Sequence, residues 1–410
     1  MNSLRRSILD IIADRLKNEL VVVLTGARQT GKTTLCELLL PELLHLPFTY
    51  ITFDDPDERL RFQRSAVAIL ESLTTPLVIL DEVQKIPALF DPLKLVVDRE
   101  SRKPVAEQKR FVLTGSSQLL MMKSIRESLS GRVALAQMYP FSLHEVTGAG
   151  EPPLLTRIWQ DQAFPRQEIV RLQLLPPQRL RKVRALRDEH QLWGGYPPVW
   201  QRQGEAERLN WLKDYRKTYL ERDIADVGQV ANIDTFALAQ KLLCARTANL
   251  LSISEVSRDL GVAVNTVKRY LELLAMSFQC VLLPPWHENV SKRLVKSPKL
   301  FFPDAGLNRV ILGELSVSRG AAYESWFFAE LLKWKQLQPV EPELYFYRTT
   351  AGMEIDFILT GEEGMIPIEV KTSRRVTAAD GRSVATFLSE HPESARLGLV
   401  AYPGDELVEI

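Results

Sequence analysis

Apolar positions near the start of the chain recur at helical spacing. Leu4, Ile8, Ile11, Ile12 and Leu16 share one face, with acidic and basic residues between them. The pattern predicts an amphipathic surface helix. A secretory leader would not carry acids inside its apolar stretch. The period then changes. Val21–Leu24, Leu77–Leu80 and Arg110–Thr114 are short runs rich in β-branched and apolar residues, and Thr49–Phe53 is strand-like. Such runs, separated by helix-length segments, read as buried strands of a parallel sheet. Further along, 236–243, 252–260 and 265–274 return to helical spacing, and 280–283 and 299–302 are strand-like. The last hundred residues begin with a long apolar helix at 322–332. Strand patterns follow at 344–348, 353–359 and 365–371.

Composition narrows this picture only slightly. The 410 residues are 45% hydrophobic and 25% charged, so the chain has material for several cores. Lys and Arg total 52 against 51 for Asp and Glu, which excludes nucleic-acid coating by bulk charge but not a local basic face. Cys36, Cys244 and Cys280 are far apart and follow no zinc spacing. No apolar run approaches the roughly 20 residues of a membrane span. The expectation is a cytoplasmic protein with no membrane partner.

Chemistry enters directly behind the first strand. Gly26-Ala27-Arg28-Gln29-Thr30-Gly31-Lys32-Thr33, followed by Thr34, matches GxxxxGK[ST] between a strand and a helix, the context this motif requires. Glycines allow a tight loop whose N–H groups face phosphate oxygens. Lys32 is expected to reach the β- and γ-phosphates, and Thr33 to ligate Mg²⁺. The strand Leu77–Leu80 ends in Asp81-Glu82. Asp81 is the expected second Mg²⁺ ligand and Glu82 the base that polarises the attacking water. At the end of the next strand Ser116 is the chosen γ-phosphate sensor, with Thr114 behind it. Asp54 and Asp55 lie at another strand end, where helix capping competes with a place in the site.

GARQTGKTT, LVILDEVQKIP, FVLTGSSQLL and ESLSGRV together resemble a prokaryotic AAA-type ATPase domain, the AAA_14 group. The downstream chain resembles the DUF4143 region fused to it. The resemblance covers nearly the whole chain and implies ATP and Mg²⁺ as cofactors. It also makes Arg132 the candidate arginine finger, donated to a neighbour's ATP in a homo-oligomeric ring, with Arg126 as runner-up.

Beyond the core, Arg179, Arg181, Lys182, Arg184 and Arg187 make a basic stretch, read as a solvated helix or a polyanion contact. Arg222, on a helix over 211–227, is a weak second sensor. Residues 252–274 follow helix–turn–helix grammar, with Asn265, Thr266, Lys268 and Arg269 on the first turn of the second helix. A β-wing carrying Lys292, Arg293, Lys296 and Lys299 completes a resemblance to a winged helix, so DNA is the expected partner. A protein-packing winged helix is the alternative. In the last segment Asp356 and Glu369-Val370-Lys371 form a D…ExK series, with Glu324 on the preceding helix. The arrangement resembles the PD-(D/E)xK nuclease fold, in which Asp356 and Glu369 share Mg²⁺ and Lys371 orients water.

The expected fold class is therefore α/β: a P-loop NTPase parallel-sheet core with helical lid, winged-helix segment and restriction-nuclease-like α/β domain. The expected boundaries are 1–148 for the core, 149–235 for linker and lid, 236–303 for the winged helix and 304–410 for the nuclease-like domain. The expected activity is Mg²⁺-dependent ATP hydrolysis coupled to DNA binding or remodelling, such as translocation, branch migration or junction processing. An ATP-dependent assembly switch with a vestigial nuclease-like domain and an active DNA nuclease are the alternatives.

Overall fold

A computed structural model describes residues 4–115, 121, 125, 127–148, 150, 153–161, 176–226, 232–287, 297–362, 364–404, 406 and 408–410, with backbone alone for 219–226. It divides into two compact units. The first is 1–141 with 196–198 and 276–278, and the second is the rest.

The first unit is built on five parallel strands: β1 (Val21–Thr25), β2 (Phe48–Thr52), β3 (Leu77–Asp81), β4 (Arg110–Thr114) and β5 (Ala134–Gln137). Their order is β2-β3-β4-β1-β5. Central β1 and β3 are buried along their whole length, which is why they read as continuous apolar runs. The chain leaves β1 for β2, works back through β3 and β4, then crosses to β5. β1 is thus the point where strand order reverses, and ligands in open parallel sheets bind outside the carboxyl ends at such a point. This is the sheet of a P-loop NTPase core. Pro56–Ser72 and Phe90–Glu100 cover it, burying Phe62, Ile69, Leu70, Leu93 and Val96 in the same core as Val23, Val78, Leu80 and Leu113. The predicted N-terminal helix is Ile8–Asn18 and buries Ile8, Leu9, Ile12 and Leu16.

In the second unit, Ile253–Leu260 starts at Ser252, whose side chain accepts from Glu255 N–H, and stops at Gly261 with φ +67°. That left-handed position suits glycine. Val264–Met276 follows and buries Val267, Tyr270, Leu271 and Leu274. An antiparallel sheet in the order β6-β8-β7 comes next, with β6 Asn249–Leu250, β7 Val281–Leu283 and β8 Lys299–Phe301. The helix Arg319–Lys335 leads to a second sheet of order β12-β11-β10-β9. Its strands are β9 (Glu343–Arg348), β10 (Glu354–Gly361), β11 (Gly364–Val370) and β12 (Leu399–Ala401). β9, β10 and β11 are antiparallel in sequence, and β12 joins β11 in parallel. The register of β10 on β9 slips between Ile355 and Ile358, placing Asp356 in a bulge. Bulges re-aim side chains at such points. Among the described residues no helix is long and apolar enough to cross a membrane.

Candidate functional site

The phosphate loop leaves β1 through three positive-φ residues: Gly26 (+144°), Gln29 (+62°) and Gly31 (+94°). Gly26 has no alternative. A Cβ there would lie 2.2 Å from the Met138 carbonyl oxygen. Thr30 is wholly buried and its hydroxyl donates to Ala27 O at 2.9 Å, tightening the loop. Arg6 braces it from outside, donating to Thr30 O at 2.7 Å and Tyr139 O at 2.6 Å. The segment behind the loop is helical over Lys32–Thr34, opens to a π-turn at Leu35–Leu39 and closes again at Leu40–Leu44.

Lys32 is buried. Its Nζ donates to Gly26 O and Ala27 O, both at 2.8 Å. Burial lowers its pKa to about 8, partly offset by Glu82 and Asp81 nearby. The loop thus holds a desolvated ammonium on its own carbonyls, a group that gains from a phosphate arriving.

Asp81 closes β3 and is almost fully buried. It accepts from Thr33 Oγ1 at 3.3 Å, from Tyr50 Oη at 2.6 Å and from Thr114 Oγ1. The structure therefore brings together Thr33 and Asp81, the two expected metal ligands. It also brings in Thr114, the runner-up sensor, while Ser116 and Arg126 lie outside the described residues. Tyr50 escaped sequence reasoning. It reaches Asp81 because β2 pairs with β3 in register, Thr52 beside Asp81, so a residue two positions earlier shares the face. Burial, then the bond to Asp81, pushes the Tyr50 phenol up. The oxygens of Thr33 and Asp81, side by side at the loop, fit a hard divalent cation that keeps several waters.

Glu82 has φ +56° and ψ +42°, a left-handed backbone that costs a non-glycine residue about 1–3 kcal/mol. Its carboxylate accepts from Gln84 Nε2. Arg132 is half-exposed and ion-paired within the chain, Nε to Asp98 Oδ1 at 2.6 Å. Asp54 pairs with Lys85, and Asp55 caps Pro56–Ser72 by accepting from Asp57 N–H at 2.8 Å. Capping is thus what Asp55 does.

In the second unit Asn265, Lys268 and Arg269 are exposed and Thr266 is half-buried. Lys292, Arg293 and Lys296 lie outside the described residues, as does any statement on the Arg222 side chain. Lys299 corrects the reading of the wing. It is buried, not solvent-facing, with Nζ 3.0 Å from Glu324 Oε1, 2.5 Å from Glu354 Oε1 and 3.7 Å from Asp356 Oδ1. The D…ExK carboxylates do converge. Asp356 accepts from Val370 N–H at 2.8 Å, and Glu369 pairs with Lys371 at 2.6 Å. Burial first, then Asp356, raises Glu324 and Glu369 to about 7 each. Yet among the described residues no group of three His, Cys, Asp or Glu is placed to hold a metal ion. Of the two carboxylates expected to share Mg²⁺, Asp356 has Lys299 Nζ 3.7 Å away and Glu369 has Lys371 Nζ 2.6 Å away, so each already faces an ammonium and the set does not fit the ion. Glu354 is the acid that sequence reasoning passed over. Its only signal was its position at the head of the strand bearing Asp356.

Known proteins bear on both units. A family described as AAA domain matches residues 18–147. Two families described as domains of unknown function match later segments, DUF8612 over 184–317 and DUF4143 over 319–410. The DUF4143 likeness is thus confined to the last part of the chain. The uncharacterized protein Rv2008c of Mycobacterium tuberculosis is 30% identical over 397 residues, 94% of this chain and 77% of that one. The uncharacterized protein MJ1544 of Methanocaldococcus jannaschii is 24% identical over 350 residues, 83% and 72% respectively. Among solved structures, AMPPCP-bound DnaA from Aquifex aeolicus aligns at 14% identity over 65% of this chain and 86% of that one, TM-score 0.25. The Thermotoga maritima RuvB Holliday junction branch migration motor aligns at 18% over 70% and 92%, TM-score 0.26. At those scores the two structural likenesses carry no argument.

Proposed function

The chain belongs to the family of P-loop ATPases that join an AAA domain to a DUF4143 region, and from that premise we propose that it couples Mg²⁺-dependent ATP hydrolysis to binding or remodelling DNA. The convergence of Lys32, Thr33, Asp81 and Glu82 at the carboxyl ends of β1 and β3 carries the hydrolytic half. Gly26 to Thr34 wrap the phosphates with backbone N–H groups, and Lys32 exchanges its two carbonyl partners for β- and γ-oxygens. Thr33 and Asp81 hold Mg²⁺, which supplies charge neutralisation when bound. Glu82 takes the proton of the attacking water. Thr114 and Ser116 are the sensor candidates at the end of β4. Arg132, released from Asp98, serves a neighbouring subunit, which requires a ring or filament.

The DNA half rests on the exposed Asn265, Lys268 and Arg269 at the start of Val264–Met276, behind a capped helix and a glycine turn. DNA remodelling rather than a protein switch is favoured because Asn265, Lys268 and Arg269 are exposed while Val267, Tyr270, Leu271 and Leu274 of the same helix are already buried.

The test of the hydrolytic assignment is a pair of variants. Glu82→Gln keeps nucleotide binding and stops turnover, and Arg132→Ala is also slow. Mixed, they regain turnover, because an intact Glu82 meets an intact Arg132 across an interface. Normal turnover in Glu82→Gln removes the assigned base, and a mixture as slow as its parts removes the finger in trans.

A further inference from the structure

Lys299 begins β8, the central strand of its sheet, paired with Leu250 on one side and Leu283 on the other. Its stem is fixed by that pairing, and its side chain is 4% exposed. The ammonium lies against Glu324 from the helix Arg319–Lys335 and against Glu354 and Asp356 from β10. The remaining acid, Glu369, carries its own lysine, Lys371.

A divalent ion in this position needs several oxygens at about 2.0–2.6 Å, with charge balance supplied by the same carboxylates. A tethered ammonium about 3 Å from two of those acids takes both the volume and the charge. Two of the Nζ donors are taken by Glu324 and Glu354, and Asp356 stands 3.7 Å away, so one fixed positive charge is already lodged among the three acids. Removing the ammonium would leave the three crowded carboxylates with no counter-charge from Lys299.

We propose that Lys299 is the resident cation of the D…ExK cluster, so that this domain binds no divalent metal and does not cleave DNA by a metal-dependent route. The three carboxylates and Lys299 instead form an ionic clasp between the sheet β6-β8-β7 and the sheet β12-β11-β10-β9. The inference is independent of the ATP site and stands or falls without it.

The experiment is Mn²⁺ binding to the nucleotide-free full chain, followed by electron paramagnetic resonance. Wild type and Asp356→Asn take up the same amount of Mn²⁺. Lys299→Met keeps the stem and deletes the charge, so it gains one Mn²⁺ site at least tenfold tighter than any in wild type. Adding Asp356→Asn removes that site again. Mn²⁺ uptake by wild type that Asp356→Asn abolishes would overturn the proposal, as would metal-dependent cleavage of labelled DNA by wild type that Asp356→Asn abolishes. A Lys299→Met chain with unchanged circular dichroism and no new Mn²⁺ site also overturns it. If Lys299→Met does not fold, the comparison of wild type with Asp356→Asn still decides.

Discussion

Lys32→Ala isolates the electrostatics of the phosphate loop. In the free protein the ammonium donates to two carbonyls at 2.8 Å each. With ATP it faces two phosphate groups. One charge pair at 4 Å and an effective dielectric near 20 contributes about 4 kcal/mol, so two contribute ~8 kcal/mol. Against this, Lys32 gives up two charge-assisted hydrogen bonds of roughly 1.5–3 kcal/mol each. The balance is about 3 kcal/mol, or roughly 10²-fold in affinity. The free variant unfolds no earlier than wild type by more than a few degrees, because the alanine also removes a desolvated charge. Titration with a fluorescent ATP analogue, beside a thermal melt, measures both quantities. An affinity within about threefold of wild type, in a variant that melts normally, would refute the assignment of Lys32 as the phosphate-gripping charge.

Two further outcomes follow from the same loop. Burial places the Lys32 pKa near 8, and phosphate needs the ammonium, so affinity is steady below that pH and falls about tenfold per unit above it. A flat affinity up to pH 9.5 contradicts this. Gly26→Ala drives a Cβ against Met138 O and strains a φ of +144°, so β5 must part from β1 at the Met138 N–H to Thr25 O bond. The expected cost is about 2–4 kcal/mol, read as an earlier unfolding transition and lost nucleotide binding.

The phosphate site was legible in sequence because its chemistry uses contiguous residues: a loop from Gly26 to Thr33 and an acidic pair at one strand end. Its supporting contacts were not. Tyr50 meets Asp81 only through the register of β2 on β3, and no local pattern announces that pairing. β5 was missed because it is a short edge strand, and Leu135 is 45% exposed. Lys299 misled for a related reason. Counting basic residues along the sequence treats Lys299 as part of a surface run, whereas it begins the central strand β8 and is buried. The residue that looked like the end of a DNA-binding wing is turned into a carboxylate cluster. The D…ExK acids themselves were found, but spacing alone says nothing of the cation that accompanies them.

Coupling between hydrolysis and DNA is the central claim, and one measurement addresses it most directly: phosphate release by the intact chain as duplex, forked and four-way DNA are added at increasing salt. The rate rises with DNA at low salt and returns toward the basal value as salt screens the phosphate contacts. A rate indifferent to every DNA at every salt concentration would contradict it.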